Sequence, residues 1–415
     1  MRNPRHGLLC IAITRAVLAV VLTSPLSHVA AQAIGERAVL DVDNAQDTPG
    51  FKDEQAGVRA GAFQLLPSAA VSVAYDSNLF AAPGEREEQA VSIVEAMLRA
   101  ASTPGDLDLR GGTFLRARRF MDAGDQDTTE FGASGDLRAQ LGPQDEFTGR
   151  LLAERRAESR TEIETPHFGE PSLYHEFRGD LAYTHTFSRF ALRARASGRR
   201  LDYEDTSESF RDQWFYRAEL RGAYAVHSGL SLIATGYYDR DVFSTASTLV
   251  ASAKTTGALI GARLRVPDVA DLELSAGHFQ RTFERQLGEI SGVSLRGAVT
   301  WYPTRLLTVR ADLLREDEPT RLLGAFGKIR TNGSLELDHE YSRRLSLYAR
   351  GRMIVDDFES IHRTDKTYFA EVGAAFLLTR RYMLSFEYDY ATRSSGADSE
   401  SFVRHLMDVS FIGRF

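Results

Sequence analysis

The chain has 415 residues, of which 43% are apolar, 26% are charged and 10% are aromatic, and its formal net charge is −7. This length fits two ordinary domains or one large all-β unit. Because no apolar run reaches about 20 residues, a helical membrane protein is excluded. The aromatic content excludes wholesale disorder, and the acidic balance argues against a nucleic-acid partner.

The N-terminus has the pattern of a secretory signal peptide, which we place at residues 1–33. A basic start precedes an apolar stretch, and small residues follow around the cleavage positions Ala31 and Ala33. The alternative is an anchor helix, which Arg15 disfavours because it interrupts the apolar stretch. Cleavage removes Cys10, the only cysteine. We therefore expect an exported protein without disulfides.

Residues 34–65 are predicted to form a flexible periplasmic arm. The part from residue 34 to about residue 55 is polar and acidic and shows no apolar period. The alternative is that this arm acts as a plug or as a docking segment for a partner.

From residue 66 to the C-terminus the apolar residues recur with a period of two. Phe131 and Leu137 share one face of their segment, whereas Glu130 and Asp136 share the other. Such segments are longer than the five to six residues usual in soluble proteins, and they suit outer-membrane strands. The predicted strands are 66–76, 90–102, 106–119, 128–141, 145–159, 174–187, 190–203, 213–226, 229–243, 254–266, 271–283, 292–302, 305–315, 328–341, 344–355, 366–378, 382–391 and 402–415.

Short turns and longer polar loops alternate between these strands, as periplasmic turns and external loops do in outer-membrane barrels. The predicted fold class is therefore all-β: one transmembrane antiparallel β-barrel of the bacterial outer-membrane type over residues 66–415. It has eighteen strands, with sixteen as the alternative. A propeller is disfavoured because each repeat of about 40 residues holds two long strands instead of four short ones. A stack of secreted β-sandwiches would not need such long strands.

Aromatic residues of the apolar face cluster at strand ends, as in the two girdles of a membrane barrel. The last strand alternates through Phe411 to a terminal Phe415. A final strand of this type resembles the signal that the outer-membrane assembly machinery reads. We expect outer-membrane lipid and that machinery to be partners, and the bacterial outer membrane to be the location.

The start of the barrel, residues 57–80, contains the stretch Tyr75-Asp76-Ser77-Asn78-Leu79-Phe80. It resembles the outer-membrane β-barrel porin family that accompanies exopolysaccharide synthesis and export systems. The resemblance implies a channel for a capsular or extracellular polysaccharide, with periplasmic export components as partners. The alternatives are a general diffusion porin for small polar solutes and a plugged structural or assembly barrel.

No catalytic centre is predicted. The sequence has no HExxH, GxSxG or glycine-rich phosphate loop, and its ten histidines are scattered. Asp76 and Asn78 follow the first strand and could start a turn. They are too few for a calcium site, so we expect neither a metal nor a cofactor and no enzymatic activity.

The polar face carries two groups of charges that are predicted to line the pore. A basic wall contains Arg150, Arg156, Arg178, Arg193, Arg195, Arg199, Arg217 and Arg221. An acidic wall contains Glu336, Asp338, Glu340, Glu371, Glu387 and Asp389. Eighteen strands would place the two walls about nine strands apart, where they could form a transverse field. The alternative is a set of local ion pairs that stiffen the barrel. A loop, 160–173 or 315–327, could fold inward to narrow the channel.

Overall fold

The computed structural model describes residues 57–84, 86–244, 251–284, 288–320, 322 and 324–415. The predicted signal peptide 1–33 and residues 34–56 of the predicted arm lie outside the described residues. No helix in the described part of the chain combines the length and hydropathy needed to cross a membrane.

The chain forms nineteen strands in the described ranges. They are β1 Val58–Ala60, β2 Phe63–Asp76, β3 Gln89–Ser102, β4 Leu107–Phe120, β5 Thr128–Gly142, β6 Asp145–Ala157, β7 Leu173–Thr186, β8 Phe190–Tyr203, β9 Gln213–His227, β10 Leu230–Phe243, β11 Ala253–Val266, β12 Ala270–Phe283, β13 Glu289–Thr304, β14 Leu307–Glu318, β15 Lys328–His339, β16 Leu345–Phe358, β17 Arg363–Leu377, β18 Tyr382–Ser395 and β19 Phe402–Arg414. Short 3₁₀ helices occupy some of the connections, among them Thr206–Arg211 and Asp398–Glu400.

Strands β2 to β19 close into one antiparallel barrel of eighteen strands. Each strand pairs with the next one along the chain, and β19 returns to pair with β2 from Leu406↔Asp76 to Arg414↔Ser68. All eighteen predicted strands are therefore confirmed, and the sixteen-strand alternative is wrong. Closure leaves no exposed sheet edge, which a β-structure in a bilayer requires.

The strands extend beyond the predicted limits at the end with the long loops. The predicted loop 356–366 shrinks to residues 359–362, because β16 continues to Phe358 and β17 begins at Arg363. Charged pairs such as Arg330 with Asp356, 2.6 Å apart, hold the ladder together there. Where a strand continues beyond the apolar belt, its residues are mostly polar and do not alternate with apolar ones. The sequence pattern therefore cannot distinguish such a strand end from a loop.

Residues 57–65, the part of the predicted arm 34–65 that the structure describes, belong to a small hairpin. Strand β1 pairs with the start of β2, from Val58↔Leu65 to Ala60↔Phe63. Gly61 occupies its tight turn with φ of 62°, a conformation that glycine adopts without strain. The wall strand β2 thus begins at Phe63, three residues before the predicted start of the barrel.

The alternation of the sequence becomes an alternation between lipid and lumen. Phe131 is 47% exposed on the outer surface, whereas the neighbouring Glu130 is 0% exposed on the inner side. The outward side chains form an apolar belt, and the inward ones include most of the buried charges. The interior is therefore held by hydrogen bonds and ion pairs more than by hydrophobic packing, as in other aqueous barrels.

The seam between the first and last barrel strands contains the predicted Asp76–Asn78 turn. The Asn78 backbone N–H donates to Asp76 Oδ1 at 3.0 Å, and its side-chain amide donates to Ala82 O at 2.9 Å. Arg404 Nε on β19 donates to Asp76 Oδ1 at 2.9 Å. The interpretation as a turn is confirmed, and the aspartate also joins β2 to β19.

Candidate functional site: the lumen and its outer mouth

The predicted basic wall lines the inner side of β6–β9, and at least six of its eight arginines have an acidic partner close by. The pairs are Arg150 with Asp136, Arg156 with Glu154, Arg178 with Glu176, Arg195 with Asp180, Arg217 with Asp239, and Arg221 with Glu273. Arg193 and Arg199 lie on β8 among them. Arg199 places its guanidinium carbon 5.9 Å from the centre of the Phe215 ring. This wall is therefore a network of ion pairs with a surplus of arginine.

The predicted acidic wall lines β15, β17 and β18, with one exception. Glu336 and Asp338 lie 3.7 and 2.6 Å from Arg310, and Arg350 lies 3.2 Å from Glu336. Glu340 falls outside the wall, because β15 ends at His339 and the turn to β16 follows. The remaining members are Glu371, Glu387 and Asp389, which lie next to one another on β17 and β18.

A packed corner of the lumen lies between β9 and β14. Arg217 on β9 lies 3.2 Å from Glu316 on β14, although five strand spacings along the wall measure about 24 Å. Arg296 on β13 lies 2.8 Å from Glu219 on β9. Side chains on strands this far apart can touch only where the wall curves tightly, so they fill the lumen here.

A second ion-pair group closes the same corner toward the long loops. Arg281 is 1% exposed and lies 2.7 Å from Asp241 and 2.9 Å from Asp317. Thr255 donates to the same Asp317 carboxylate at 2.6 Å. Buried charges of this kind are stable only with close partners, and here they tie β10, β11, β12 and β14 together.

Aromatic side chains pack into the walls of this corner. Tyr237 and Phe279, 6% and 0% exposed, pack with Leu259 and Ile329. Tyr237 lies flat over β11 because Gly257 has no side chain: a Cβ there would be 2.3 Å from the tyrosine ring. These rings are covered by protein and do not form an open surface on the lumen.

The connection between β6 and β7, residues 158–172, crosses the outer end of the lumen; we call it the mouth segment. Its two ends meet, because the Glu158 N–H donates to Ser172 O at 2.8 Å. Arg160, 8% exposed, fixes its base by donating to Gln126 Oε1 at 2.9 Å and to Gly169 O at 2.6 Å. Hydrogen bonds donated by a buried guanidinium are strong, and these hold the segment in one conformation.

The tip of the mouth segment binds the opposite side of the barrel. Glu164 Oε1 accepts hydrogen bonds from Lys328 Nζ at 3.0 Å and from Thr320 Oγ1 at 2.7 Å. Strand β15, which carries Lys328, is nine strands away from β6 and so is diametrically opposite. Ile163 packs in a buried cluster with Ala325 and Phe358. The segment therefore spans the full width of the mouth.

Further bonds attach the mouth segment to other loops and to β18. Arg393 on β18 donates to Thr161 O. His167 contacts Phe80 O at 3.2 Å and Glu400 Oε2 at 3.0 Å. The bond from His167 lowers the pKa of the Glu400 carboxyl below its usual range. This carboxylate consequently stays ionised at neutral pH, and its contribution to stability is lost only as pH falls through that lowered pKa.

Sequence reasoning named 160–173 as a loop able to fold inward but identified none of its contacts. One signal was Ile163, an apolar residue flanked by glutamates within a largely polar loop. Its partners Ala325 and Phe358 lie more than 150 residues away, and no local pattern connects them. The predicted loop 315–327 begins later than expected, because β14 continues to Glu318. The connection after it contributes Ala325 and Thr320 to the same contact.

The predicted C-terminal signal residues lie on the outer surface. Phe411 is 46% exposed and stacks on Tyr382, with ring centres 5.6 Å apart. Phe415 is 52% exposed, and its N–H donates to Pro67 O on β2 at 3.1 Å. Both rings are accessible from lipid beside the seam. Their recognition by the assembly machinery stays a prediction.

Comparisons with known proteins place this barrel among porins. A family model described as Putative beta-barrel porin 2 matches residues 52–415, while no functionally curated protein matches. Among solved structures, this chain is similar to Pseudomonas aeruginosa OpdK with vanillate, at 11% identity and a TM-score of 0.44; the match covers 85% of this chain and 99% of that chain. It is also similar to Acinetobacter baumannii OccAB3, at 10% identity and a TM-score of 0.45; the match covers 86% of this chain and 100% of that chain. A third is Pseudomonas aeruginosa OccK2 (11% identity, TM-score 0.46, 85% and 98%).

Proposed function

The chain belongs to the putative beta-barrel porin 2 family, and we propose that the outer-membrane channel it forms admits small polar solutes and excludes long polysaccharide chains. The observation that carries this proposal is the mouth segment, which bonds Glu164 to Lys328 across nine strands. A solute must pass beside that segment, so its cross-section is limited by the gaps that the segment leaves.

The packed corner supports the same size limit. Barrels of sixteen to eighteen strands commonly enclose an aqueous channel. Here the contacts from Arg217 to Glu316 and from Arg296 to Glu219 fill one side of the lumen. A long hydrated sugar chain needs a wide path along the whole lumen. A small solute can pass through the part of the lumen's cross-section that the packed corner leaves open.

The lining favours polar solutes. The inner side of β6–β9 carries a surplus of arginine, and the inner side of β15–β18 carries Glu336, Asp338 and the acidic residues of β17 and β18. A charged lining holds ordered water, and an apolar solute would have to displace that water without replacing its hydrogen bonds. Polar and ionic solutes can exchange these bonds as they move.

Polysaccharide export, which the resemblance of residues 57–80 implies, is the weaker proposal. Its support is that resemblance alone, and the matching family is described as a porin without reference to export. If the chain served export, its deletion from the native bacterium should reduce surface polysaccharide. We expect surface polysaccharide to be unchanged.

Solute flux into proteoliposomes tests the size limit. The purified barrel is reconstituted, and swelling rates are measured for a pentose, a hexose, a disaccharide and longer glucose oligomers. We expect rates to fall steeply with size and to vanish for the long oligomers, because the mouth segment narrows the entrance. Liposomes with heat-denatured protein provide the control. Equal entry of hexose and long oligomers would contradict the proposal.

A further inference from the structure

Three carboxylates on the inner side of β17 and β18 converge about half-way along the barrel. One oxygen from each of Glu371, Glu387 and Asp389 lies within 4.8 Å of the others. The strand register explains this convergence, since Glu371 lies opposite Asp389, and Glu387 lies two residues away on the same face of β18. Carboxylates at this spacing repel one another unless a proton or a cation lies between them.

A buried oxygen without a partner marks the same place. Asp389 is 2% exposed, and its Oδ2 has no hydrogen-bond partner among the described residues. On β19, Asp408 lies opposite Glu387, and its buried Oδ2 likewise has no hydrogen-bond partner in the described part of the chain. A buried carboxylate oxygen without a donor is unfavourable, because it has lost its bound water and gained no hydrogen bond in return.

The two neighbouring arginines that the described residues place here, Arg350 and Arg404, are each shared with a carboxylate outside this group. Arg350 binds Glu371, but it is shared with Glu336 at 3.2 Å. Arg404 on β19 is paired with Asp76 at the seam. With Asp408 included, four carboxylates thus face two arginines that each have another acidic partner.

The surroundings hold the carboxylates in place. Tyr348 donates from its hydroxyl to Glu387 Oε2. Its ring lies directly over Gly373, where a Cβ would be 2.1 Å from the ring. Arg350 orients Glu371 in the same way. Outer partners that orient ligands in this manner are typical of metal sites.

We infer that Glu371, Glu387 and Asp389 bind a divalent cation, with Ca²⁺ as the ion that fits best. Hard oxygen ligands without nitrogen or sulfur select Ca²⁺ or Mg²⁺. Ca²⁺ binds oxygen at about 2.3–2.6 Å in flexible geometry, so ligands on opposite sides of the ion are about 4.6–5.2 Å apart. Three oxygens that lie within 4.8 Å of one another are close enough to share one such ion, and strands that fix them without octahedral geometry suit Ca²⁺ better than Mg²⁺. Water from the lumen and Asp408 would supply further ligands.

Tyrosine-sensitised terbium luminescence on the full-length barrel in nonionic detergent tests this site. Tb³⁺ substitutes for Ca²⁺, and Tyr348 is close enough to a proposed ligand to transfer excitation energy. After treatment with a chelator, we expect saturable binding of one Tb³⁺ per chain and its displacement by Ca²⁺. Asp389→Asn and Glu387→Gln should each weaken binding by more than about tenfold. Mutating an outer partner already lowers metal affinity by about that factor, and losing a ligand should lower it further.

Asp136→Asn is the matched control, since Asp136 is an inner carboxylate that binds Arg150 on another part of the wall. It should bind Tb³⁺ like the wild type. Tyr348→Phe provides a second variant that keeps all carboxylates: emission should fall, while Ca²⁺ still raises the unfolding temperature. No saturable Tb³⁺ binding, or wild-type affinity in folded Asp389→Asn, would overturn the inference and indicate that the carboxylates share protons instead.

Discussion

Replacing residues 160–170 with a short glycine–serine turn is expected to raise the single-channel conductance severalfold. The replacement removes Ile163 and Glu164, which attach the mouth segment to the opposite wall. It should leave the barrel intact, because Glu158 and Ser172 already bond to each other at the base of the segment. Conductance depends on the narrowest part of the path, and it is measured in planar bilayers.

The matched control for this variant is Glu170→Gln, a change at an exposed position of the same segment. Its conductance should equal that of the wild type. A shortened variant that keeps the heat-modifiable gel mobility of a folded barrel but shows wild-type conductance would place the narrowest point elsewhere. The proposed role of the mouth segment would then be wrong.

Neutralising one wall of the lumen is expected to shift the reversal potential in a salt gradient. The double change Glu336→Gln and Asp338→Asn leaves Arg310 and Arg350 without these partners, so the channel should become more selective for anions. The double change Arg193→Gln and Arg195→Gln removes two positive charges, one of them the Arg195 partner of Asp180, and selectivity should move toward cations. Arg217 is left unchanged because it is buried in the packed corner.

Screening limits the size of these shifts. The Debye length is about 8 Å in physiological salt, so the effect should be larger in dilute salt than in concentrated salt. Glu359→Gln in an outer connection and Arg343→Gln in a short turn are the controls, since both residues are exposed and lie outside the strands of the barrel wall. If both wall variants insert normally and neither moves the reversal potential, the charges act only as local ion pairs.

The barrel wall could be predicted from the sequence because its rule is local. A residue such as Phe131 must face lipid and its neighbour Glu130 must face the lumen, so a period of two identifies each strand. The hairpin strand β1 and the outer ends of β16 and β17 were missed. Strand β1, with three residues, is too short to show a period. The outer ends of β16 and β17 lie beyond the apolar belt, where charged residues interrupt the period.

The arrangement inside the barrel could be predicted only in part. Charges on adjacent strands, such as Arg195 and Asp180, follow from strand order, and the alternative of local ion pairs agrees with them. The contact between Arg217 and Glu316 depends on how sharply the wall curves, and the contact between Glu164 and Lys328 depends on the path of a loop. Neither curvature nor a loop path has a signature in local sequence.

Cross-linking between Ile163→Cys and Ala325→Cys tests most directly whether the mouth segment spans the lumen. These two residues share one buried cluster, and Cys10, the only natural cysteine, is changed to Ala to leave no other thiol. In outer membranes treated with a short bifunctional thiol reagent, we expect mass spectrometry to find peptides linked between positions 163 and 325. The pair Ile163→Cys with Ala191→Cys should not link, because Ala191 belongs to a different cluster. Efficient labelling of both thiols at 163 and 325 without any link between them would contradict the account.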